Sequence, residues 1–329
     1  MSVTIESLGS VVPYGRFTHP DFTDAGENRA QVSQRALSTL WFNTGTLCNI
    51  ECAHCYIESS PRNDALVYLN TADVEPYLDE IKTGGLPTRE IGFTGGEPFL
   101  NPDIIPMVGM CLARGYEVLI LTNAMQPMQR PMVKEGLLNL KAAHGDQLKF
   151  RVSIDHFTAR MHDAERGAGS FVRALEGLDW LAETGFAIAA AGRTRFGEDE
   201  VTLRAGFRAL FSARGYPIDA DDPSQLVLFP EMDEQADVPE ITTACWGILD
   251  VSPDAMMCAE SRMVVRRKGA DAPVVLPCTL LPFDPNFEMG RTLTEAATAD
   301  GGNFECGAVK LNHPHCAKFC VLGGGNCSQ

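Results

Sequence analysis

Between residues 36 and about 231, short apolar runs alternate with longer segments in which apolar residues recur every three or four positions. The short runs are typical of buried strands, and the longer segments are typical of amphipathic helices. The predicted strands are residues 38–43, 90–94, 117–122, 149–155, 187–193 and 225–229, and the predicted helices are residues 71–81, 103–113, 131–143, 169–183 and 200–213. Thr71 is the predicted N-cap of the first helix. This alternation predicts an α/β fold with a parallel sheet, and six βα units favour a partial barrel over a complete one.

Cysteine is the residue type that changes this picture, because the 329 residues include 11 cysteines. Cys48, Cys52 and Cys55 follow the first predicted strand at a Cx3Cx2C spacing. Thiolates are soft ligands that favour iron–sulfur clusters or zinc. A zinc finger needs a fourth local ligand, and the neighbouring His54 is crowded between two of the cysteines. The spacing therefore predicts a [4Fe–4S] cluster with one iron left open.

Hydropathy and charge limit where such a chain works and what it binds. The chain starts without a charged segment that leads into an apolar one, and no apolar run approaches the ~18 residues of a membrane span. We therefore expect a cytoplasmic protein without a membrane partner, whose clustered cysteines bind metal rather than form disulfides. The net charge of −16 makes a nucleic-acid partner unexpected. The basic cluster at residues 262–268 is expected to be a solvated hairpin, or alternatively to face a phosphate or carboxylate of a substrate.

Two further motifs follow predicted strands. Gly-Gly-Glu-Pro at residues 95–98 follows the second strand, and Thr-Asn at residues 122–123 ends the third. Together with the cysteine motif and Tyr56 directly after it, these motifs resemble those of the radical S-adenosylmethionine (radical SAM) superfamily. The resemblance implies a partial (β/α)6 TIM-like barrel in which SAM chelates the open iron. It also implies that the reduced cluster cleaves SAM to methionine and a 5'-deoxyadenosyl radical, which abstracts a hydrogen atom from substrate.

The same resemblance implies a first group of SAM contacts. Gly95, Gly96 and Glu97 are expected to contact the methionyl amino group. Asn123 belongs to the Thr-Asn motif, in which Ala124 replaces the glycine of the family. Tyr56 is counted with these residues because of its position next to the third cysteine.

A second group follows the fourth predicted strand. Ser-Ile-Asp at residues 153–155 precedes His-Asp at 162–163, Arg-Gly at 166–167 and Gly-Ser-Phe at 169–171. This order resembles radical SAM enzymes with C-terminal auxiliary-cluster domains, and it implies that Ser153 and Arg166 bind the SAM carboxylate. A guanidinium can hold a carboxylate through two parallel hydrogen bonds. Asp155 is expected either to bind a SAM hydroxyl or to cap the next helix, and Arg193 is a further candidate at the same mouth.

The barrel pattern stops after Pro239, and seven cysteines follow it: Cys245, Cys258, Cys278, Cys306, Cys316, Cys320 and Cys327. Residues 258–278 predict a β-hairpin whose register brings its two terminal cysteines together, and residues 289–295 predict a turn into a short helix. The series resembles the SPASM and shorter twitch extensions of radical SAM enzymes. It implies one auxiliary [4Fe–4S] cluster held by Cys258, Cys278, Cys316 and one of Cys320 or Cys327. Two auxiliary clusters that use nearly all seven cysteines, or a structural zinc site, are the alternatives.

The predicted organisation has three parts. Residues 1–35 form an irregular extension over the barrel, residues 36–238 form the barrel, and residues 239–329 form a small cysteine-rich α+β extension that binds the auxiliary cluster. The resemblance implies an enzyme that oxidises, or forms a bond in, a small-molecule or peptide substrate, with flavodoxin or ferredoxin as reducing partner. SAM-consuming group transfer such as methylation, and a non-catalytic iron–sulfur or zinc scaffold or electron carrier, are the alternatives. No catalytic side chain is predicted.

Overall fold

The computed structural model describes residues 15–231 and 237–326. Its strands are β1 (Gln31–Val32), β2 (Thr39–Asn43), β3 (Glu90–Thr94), β4 (Glu117–Thr122), β5 (Leu148–Ser153), β6 (Ala187–Arg193), β7 (Leu226–Phe229), β8 (Ser261–Val265), β9 (Val274–Leu276), β10 (Phe304–Glu305) and β11 (Ala308–Lys310). Its α-helices are α1 (Thr71–Gly84), α2 (Ile104–Ala113), α3 (Gln126–Gln129), α4 (Pro131–His144), α5 (Ala159–Arg166), α6 (Ser170–Glu183), α7 (Glu200–Arg214), α8 (Cys245–Leu249) and α9 (Leu293–Ala297). Within these described ranges, none of the helices has the length and apolar content to span a bilayer.

The main sheet confirms the predicted α/β partial barrel. Strands β2 to β7 pair in chain order, each parallel to the next, with helices in the connections. The barrel strands are almost continuously apolar because helices cover one face and the barrel interior covers the other. Trp41 in β2 lies across Gly92 in β3, where an added Cβ atom would come within 2.2 Å of the indole ring. The observed bounds of β2 to β7 match the predicted ranges closely.

The sheet continues beyond the predicted barrel. Strand β8 pairs parallel to β2, with Thr39 opposite Ser261 and Phe42 opposite Val264, and β9 returns antiparallel to β8. The C-terminal hairpin is thus part of the barrel sheet, next to the strand that leads into the cysteine loop.

Helix α1 begins one residue earlier than its predicted cap. Asn70 is the N-cap, since its side chain accepts hydrogen bonds from the main-chain N–H groups of Ala72 and Asp73, and the Asp73 carboxylate accepts one from the Asn70 N–H. This reciprocal arrangement is a capping box. The predicted cap, Thr71, is the first helical residue instead.

The residues before the barrel contact the C-terminal region. Strand β1 pairs antiparallel with β11, which also pairs with β10. Arg29 forms a buried ion pair with Glu240 at 2.5 Å and donates a hydrogen bond to the main-chain carbonyl of Leu311. Pairing across the two predicted chain boundaries therefore joins the N-terminal extension to the cysteine-rich part.

We expect Arg29→Ala to lower the free energy of unfolding by about 3 kcal/mol, because it leaves the Glu240 carboxylate buried without its counter-ion. Denaturant unfolding monitored by circular dichroism measures the effect. Arg16→Ala is the matched control, since Arg16 pairs with Asp24 at the exposed surface and should matter little. Equal destabilisation by the two variants would contradict a docked extension.

The basic cluster at residues 262–268 differs from the expected solvated hairpin. Arg262 is only 1% exposed. Arg266 pairs with Asp73 at 3.1 Å, and Arg267 forms an ion pair with Glu288. These three cations are therefore occupied or buried within the fold, and the expectation that the cluster is solvated is wrong for them.

Candidate functional site

A large cavity opens at the carboxyl ends of the barrel strands. Its empty volume, counted out to the open mouth, is about 1090 Å³. Cys48, Cys52 and Cys55 line it. Every residue proposed to bind SAM except Glu97 lines it as well: Tyr56, Gly95, Gly96, Asn123, Ser153, Asp155, Arg166 and Arg193. The fold therefore brings together motifs that are up to 145 positions apart in the sequence, from Cys48 to Arg193.

The Gly-Gly turn positions the cysteine loop. The Gly96 N–H donates to the Gly45 carbonyl at 2.8 Å, and the Glu97 N–H donates to the Leu47 carbonyl at 3.1 Å. A Cβ atom on Gly96 would lie 2.1 Å from the Leu47 carbonyl oxygen, and Gly95 has a φ of +144°. Glycine is required at both positions because of this close approach and this backbone conformation. The motif thus holds the start of the loop against the end of β3.

The three thiols suit a cluster with an open iron. They are free in the structure, and burial raises the pKa of Cys48 to about 12 and also raises that of Cys52. Such thiols are neutral at ordinary pH, and bound metal would deprotonate them. Among the described residues, no three His, Cys, Asp or Glu side chains are arranged to hold a single metal ion. A cubane differs from a mononuclear zinc site in that each thiolate binds a separate iron.

His54 is directed away from the role of a fourth ligand. Its Nδ1 atom lies 3.0 Å from the Glu165 carboxylate, and its Nε2 atom lies 3.1 Å from Arg195. Arg193 donates a hydrogen bond to the His54 carbonyl oxygen at 3.0 Å. The Ala53 N–H also donates to the Glu165 main-chain carbonyl at 2.8 Å. Sequence reasoning missed Glu165 and Arg195, which fix the loop from the far side of the barrel mouth.

Arg166 is held by Asp155. Its Nε and Nη2 atoms donate to the two Asp155 carboxylate oxygens at 2.7 and 2.9 Å. Burial alone would raise the pKa of Asp155, but the charges of Arg166 and Arg193 and the Arg166 hydrogen bonds lower it below its ordinary value. A guanidinium has five N–H donors, so Arg166 retains donors for a ligand carboxylate in the cavity that it lines.

Asp155 therefore has a role that the sequence did not indicate. It does not cap the next helix, because Thr158 is the residue at the N-cap of α5. Contact of Asp155 with a SAM hydroxyl, and contact of Ser153 with the SAM carboxylate, stay predictions.

Glu97 lies behind the cavity wall. It is 1% exposed, and its carboxylate accepts hydrogen bonds from the Thr122 hydroxyl and from the main-chain N–H groups of Asn123 and Phe99. Burial raises its pKa to about 7. The side chain fixes the turn that carries Asn123, whereas contact of Glu97 itself with SAM stays a prediction.

The Thr-Asn motif keeps its geometry although Ala124 replaces glycine. Ala124 has a φ of +57°, the left-handed region that favours glycine. The Asn123 side chain donates to the Asn49 side chain at 2.9 Å and accepts from the Met125 N–H at 3.0 Å. It therefore connects the end of β4 to the cysteine loop, directly after Cys48.

A second cavity contains the C-terminal cysteines. Cys258, Cys278, Cys316 and Cys320 line an empty volume of about 370 Å³, and all four side chains are buried and outside disulfides. The β8–β9 register, with Met263 opposite Leu276, brings the first two to the same end of the hairpin. The other two lie on the π-helical segment Cys316–Leu322. This donor set fits one [4Fe–4S] cluster.

The remaining C-terminal cysteines are placed differently. Cys245 and Cys306 do not line this cavity: the Cys245 sulfur accepts a hydrogen bond from the Thr242 N–H, and Cys306 is exposed. Cys327 lies outside the described residues. Cys320 lines the cavity, and the choice between Cys320 and Cys327 stays a prediction.

Other residues of the main cavity had no sequence motif. Arg151 lies in β5, two positions before Ser153, so period-two alternation directs both to the same face. Leu280 and Phe319 come from the C-terminal region, and Leu280 lines both cavities. The C-terminal region thus forms part of the wall of the barrel cavity, which local patterns do not reveal.

A barrel with three thiols at its mouth is suited to bind a metal cluster. Comparison with known proteins identifies the family that this part of the chain resembles. The Radical SAM superfamily model matches residues 42–194. Mycofactocin maturase MftC of Mycobacterium ulcerans is 34% identical over 140 residues, which cover 43% of this chain and 35% of that protein. The antilisterial bacteriocin subtilosin biosynthesis protein AlbA of Bacillus subtilis is 29% identical over 177 residues, which cover 54% of this chain and 36% of that protein.

The fold comparison agrees. The crystal structure of Streptococcus suis SuiB bound to S-adenosylmethionine has a TM-score of 0.58 at 12% identity, covering 81% of this chain and 66% of that one. Residues 42–194 therefore match the radical SAM superfamily, as predicted, and the cofactors of that family are a [4Fe–4S] cluster and SAM. The matched segment spans about a third of the length of the curated relatives.

Proposed function

We propose that this chain is a radical SAM enzyme that abstracts a hydrogen atom from a peptide substrate and thereby oxidises it or forms a bond in it. The observation that carries the proposal is the single cavity lined by Cys48, Cys52 and Cys55 together with the residues proposed to bind SAM. When bound, a reduced cluster with an open iron supplies one electron to the SAM sulfonium, which splits into methionine and a 5'-deoxyadenosyl radical.

The side chains of the cavity bind and orient rather than react. Arg166, fixed by Asp155, offers N–H donors to the SAM carboxylate, and Ser153 lies on the same cavity wall. Gly95 and Gly96 allow close approach of main-chain carbonyls to the amino group. Contacts to both charged groups of one zwitterion fix its orientation. The position of the sulfonium is then fixed by these contacts with the protein.

A peptide substrate is supported by the relatives and by the shape of the cavity. MftC is named a maturase, AlbA a bacteriocin biosynthesis protein, and one SuiB structure contains the precursor peptide SuiA. The apolar side chains of Phe229, Leu280 and Phe319 line the cavity. A small molecule is the alternative substrate.

The C-terminal thiols are proposed to hold an auxiliary [4Fe–4S] cluster that takes an electron from the substrate radical. Burial raises the pKa of Cys258 to about 11 and that of Cys316 well above its ordinary value, so the thiols need bound metal to ionise. Leu280 lines both cavities, so the two proposed sites lie on either side of this residue. We place the enzyme in the cytoplasm, with flavodoxin or ferredoxin as electron donor.

The test is anaerobic reconstitution with iron and sulfide, reduction with dithionite, and chromatography of the products of SAM. Formation of 5'-deoxyadenosine supports the proposal. S-adenosylhomocysteine in its place would indicate methyl transfer, and neither product would indicate a non-catalytic cluster protein. Both of these results contradict the proposal.

Arg166→Ala should weaken SAM binding by about 2 kcal/mol, or roughly 30-fold, the scale for loss of one partner of a buried charged hydrogen bond. Equilibrium dialysis of reconstituted protein with labelled SAM measures the dissociation constant. Arg173→Ala is the matched control, because the guanidinium of Arg173 is exposed and donates to the Ala168 carbonyl. An unchanged dissociation constant in Arg166→Ala would refute its role.

A further inference from the structure

Arg262 is a buried guanidinium directly behind the auxiliary cysteine site. Its Nη1 atom donates to the main-chain carbonyls of Cys258 at 2.6 Å and Ser261 at 2.7 Å, and its Nη2 atom donates to the Gly307 carbonyl at 3.3 Å. Its Nε atom is buried without a hydrogen-bond partner in the described part of the chain. Every acceptor of this cation is thus a neutral main-chain group.

Among residues 15–231 and 237–326, no carboxylate pairs with this charge. None of the ion pairs between the described residues includes Arg262, whereas Arg266 and Arg267 of the same hairpin pair with Asp73 and Glu288. A buried ion without a counter-ion is costly. The fold keeps this one at 1% exposure. A nearby negative charge would therefore stabilise the arrangement.

The two sides of the guanidinium differ in what they supply. On one side lies a cavity lined by Gln34, Arg35, Leu86 and other residues, none of them acidic, and the charge of Arg35 is paired with Asp254. On the other side lie Cys258 and Cys278. Both cysteines lie within electrostatic range of Arg262. A guanidinium stays protonated in proteins, so the cysteine side is the source of negative charge.

We propose that Arg262 is the internal counter-charge of the auxiliary [4Fe–4S] site and that it raises the midpoint potential of that site. The inference rests on the proposed function, in which Cys258, Cys278, Cys316 and Cys320 hold this cluster. Four thiolates leave such a cluster negative, and uptake of one electron makes it more so. A fixed cation at low effective dielectric stabilises the reduced form more than the oxidised form. Arg262 thereby favours acceptance of the electron that a substrate radical loses when it becomes oxidised product.

The experiment is a potentiometric titration monitored by electron paramagnetic resonance. The background is the chain with Cys48, Cys52 and Cys55 replaced by alanine, so that the auxiliary cluster gives the only signal. Arg262→Gln should lower the ratio of reduced to oxidised cluster at a fixed potential about tenfold, which for one electron is about 59 mV. Arg266→Gln is the matched control, because its charge is compensated by Asp73, and it should leave the potential unchanged.

The iron content separates the possible failures. A background protein without iron would overturn the auxiliary site itself, and with it this inference. A background protein that holds four irons, together with an unchanged potential in Arg262→Gln, would overturn only the inference. If Arg262→Gln loses its iron, Arg262→Lys is the second variant to measure. Lysine keeps the positive charge of arginine but lacks its planar guanidinium group. Retention of iron in Arg262→Lys supports the counter-charge, and loss from both variants refutes it.

Discussion

Replacing Cys48, Cys52 and Cys55 together by alanine should abolish SAM cleavage and remove about four irons per chain. The three thiols line the barrel cavity, and the ring of the neighbouring His54 contacts Glu165 and Arg195. The variant therefore has no set of ligands left to hold the cluster. The four C-terminal thiols belong to a separate cavity and should retain their own iron.

Iron analysis and the yield of 5'-deoxyadenosine measure the result. Cys111→Ala is the matched control, because Cys111 is a buried cysteine in the apolar helix α2, outside both cavities. It should keep full iron content and SAM cleavage. Undiminished 5'-deoxyadenosine from the triple variant would falsify the proposed SAM cleavage at this site.

Replacing Cys258 and Cys278 by alanine should stop product formation while SAM cleavage continues. These two thiols form one half of the proposed auxiliary site, and their loss leaves only Cys316 and Cys320 of its four proposed ligands. Iron should fall from about eight atoms per chain to about four. The radical still forms in the barrel cavity, but the electron that completes substrate oxidation has no acceptor.

Metal analysis of the wild-type protein distinguishes the alternatives for this site. About four irons with stoichiometric zinc would contradict an auxiliary cluster and favour a structural zinc domain. About twelve irons would mean a second auxiliary cluster. That outcome requires ligands beyond the second cavity, such as Cys245 or Cys306. Retained product formation in Cys258→Ala/Cys278→Ala would also exclude an essential auxiliary cluster.

The barrel strands were predictable because their pattern is local. Each strand from β2 to β7 is a short apolar run between helical segments, and the periodicity alone gives the parallel sheet. The position of β8 next to β2 was not predictable in this way, since it depends on pairing between Thr39 and Ser261, which are far apart in the sequence. The cap of α1 was missed by one residue because Asn70 and Thr71 are both residue types found at N-caps.

The candidate site shows the same division between local motifs and distant partners. The cysteine spacing and the Gly-Gly turn predicted which residues meet in the cavity. The partner of Arg166 was missed, because Asp155 has no feature in the sequence that distinguishes a charge partner from a helix cap. Arg262 was expected in a solvated cluster because its neighbours are also basic, yet only the fold determines which of them is buried.

The pairing of β8 with β2 has a consequence for how the chain is made. β2 leaves the ribosome early, and its partner on one side begins only at Ser261. Until then, one edge of β2 keeps unpaired N–H and C=O groups immediately before the cysteine loop, which is the condition that promotes wrong strand pairing. The barrel thus becomes complete only when the hairpin that carries Cys258 and Cys278 has been synthesised. The strand that leads into Cys48 is therefore paired along both edges only after this hairpin has been translated.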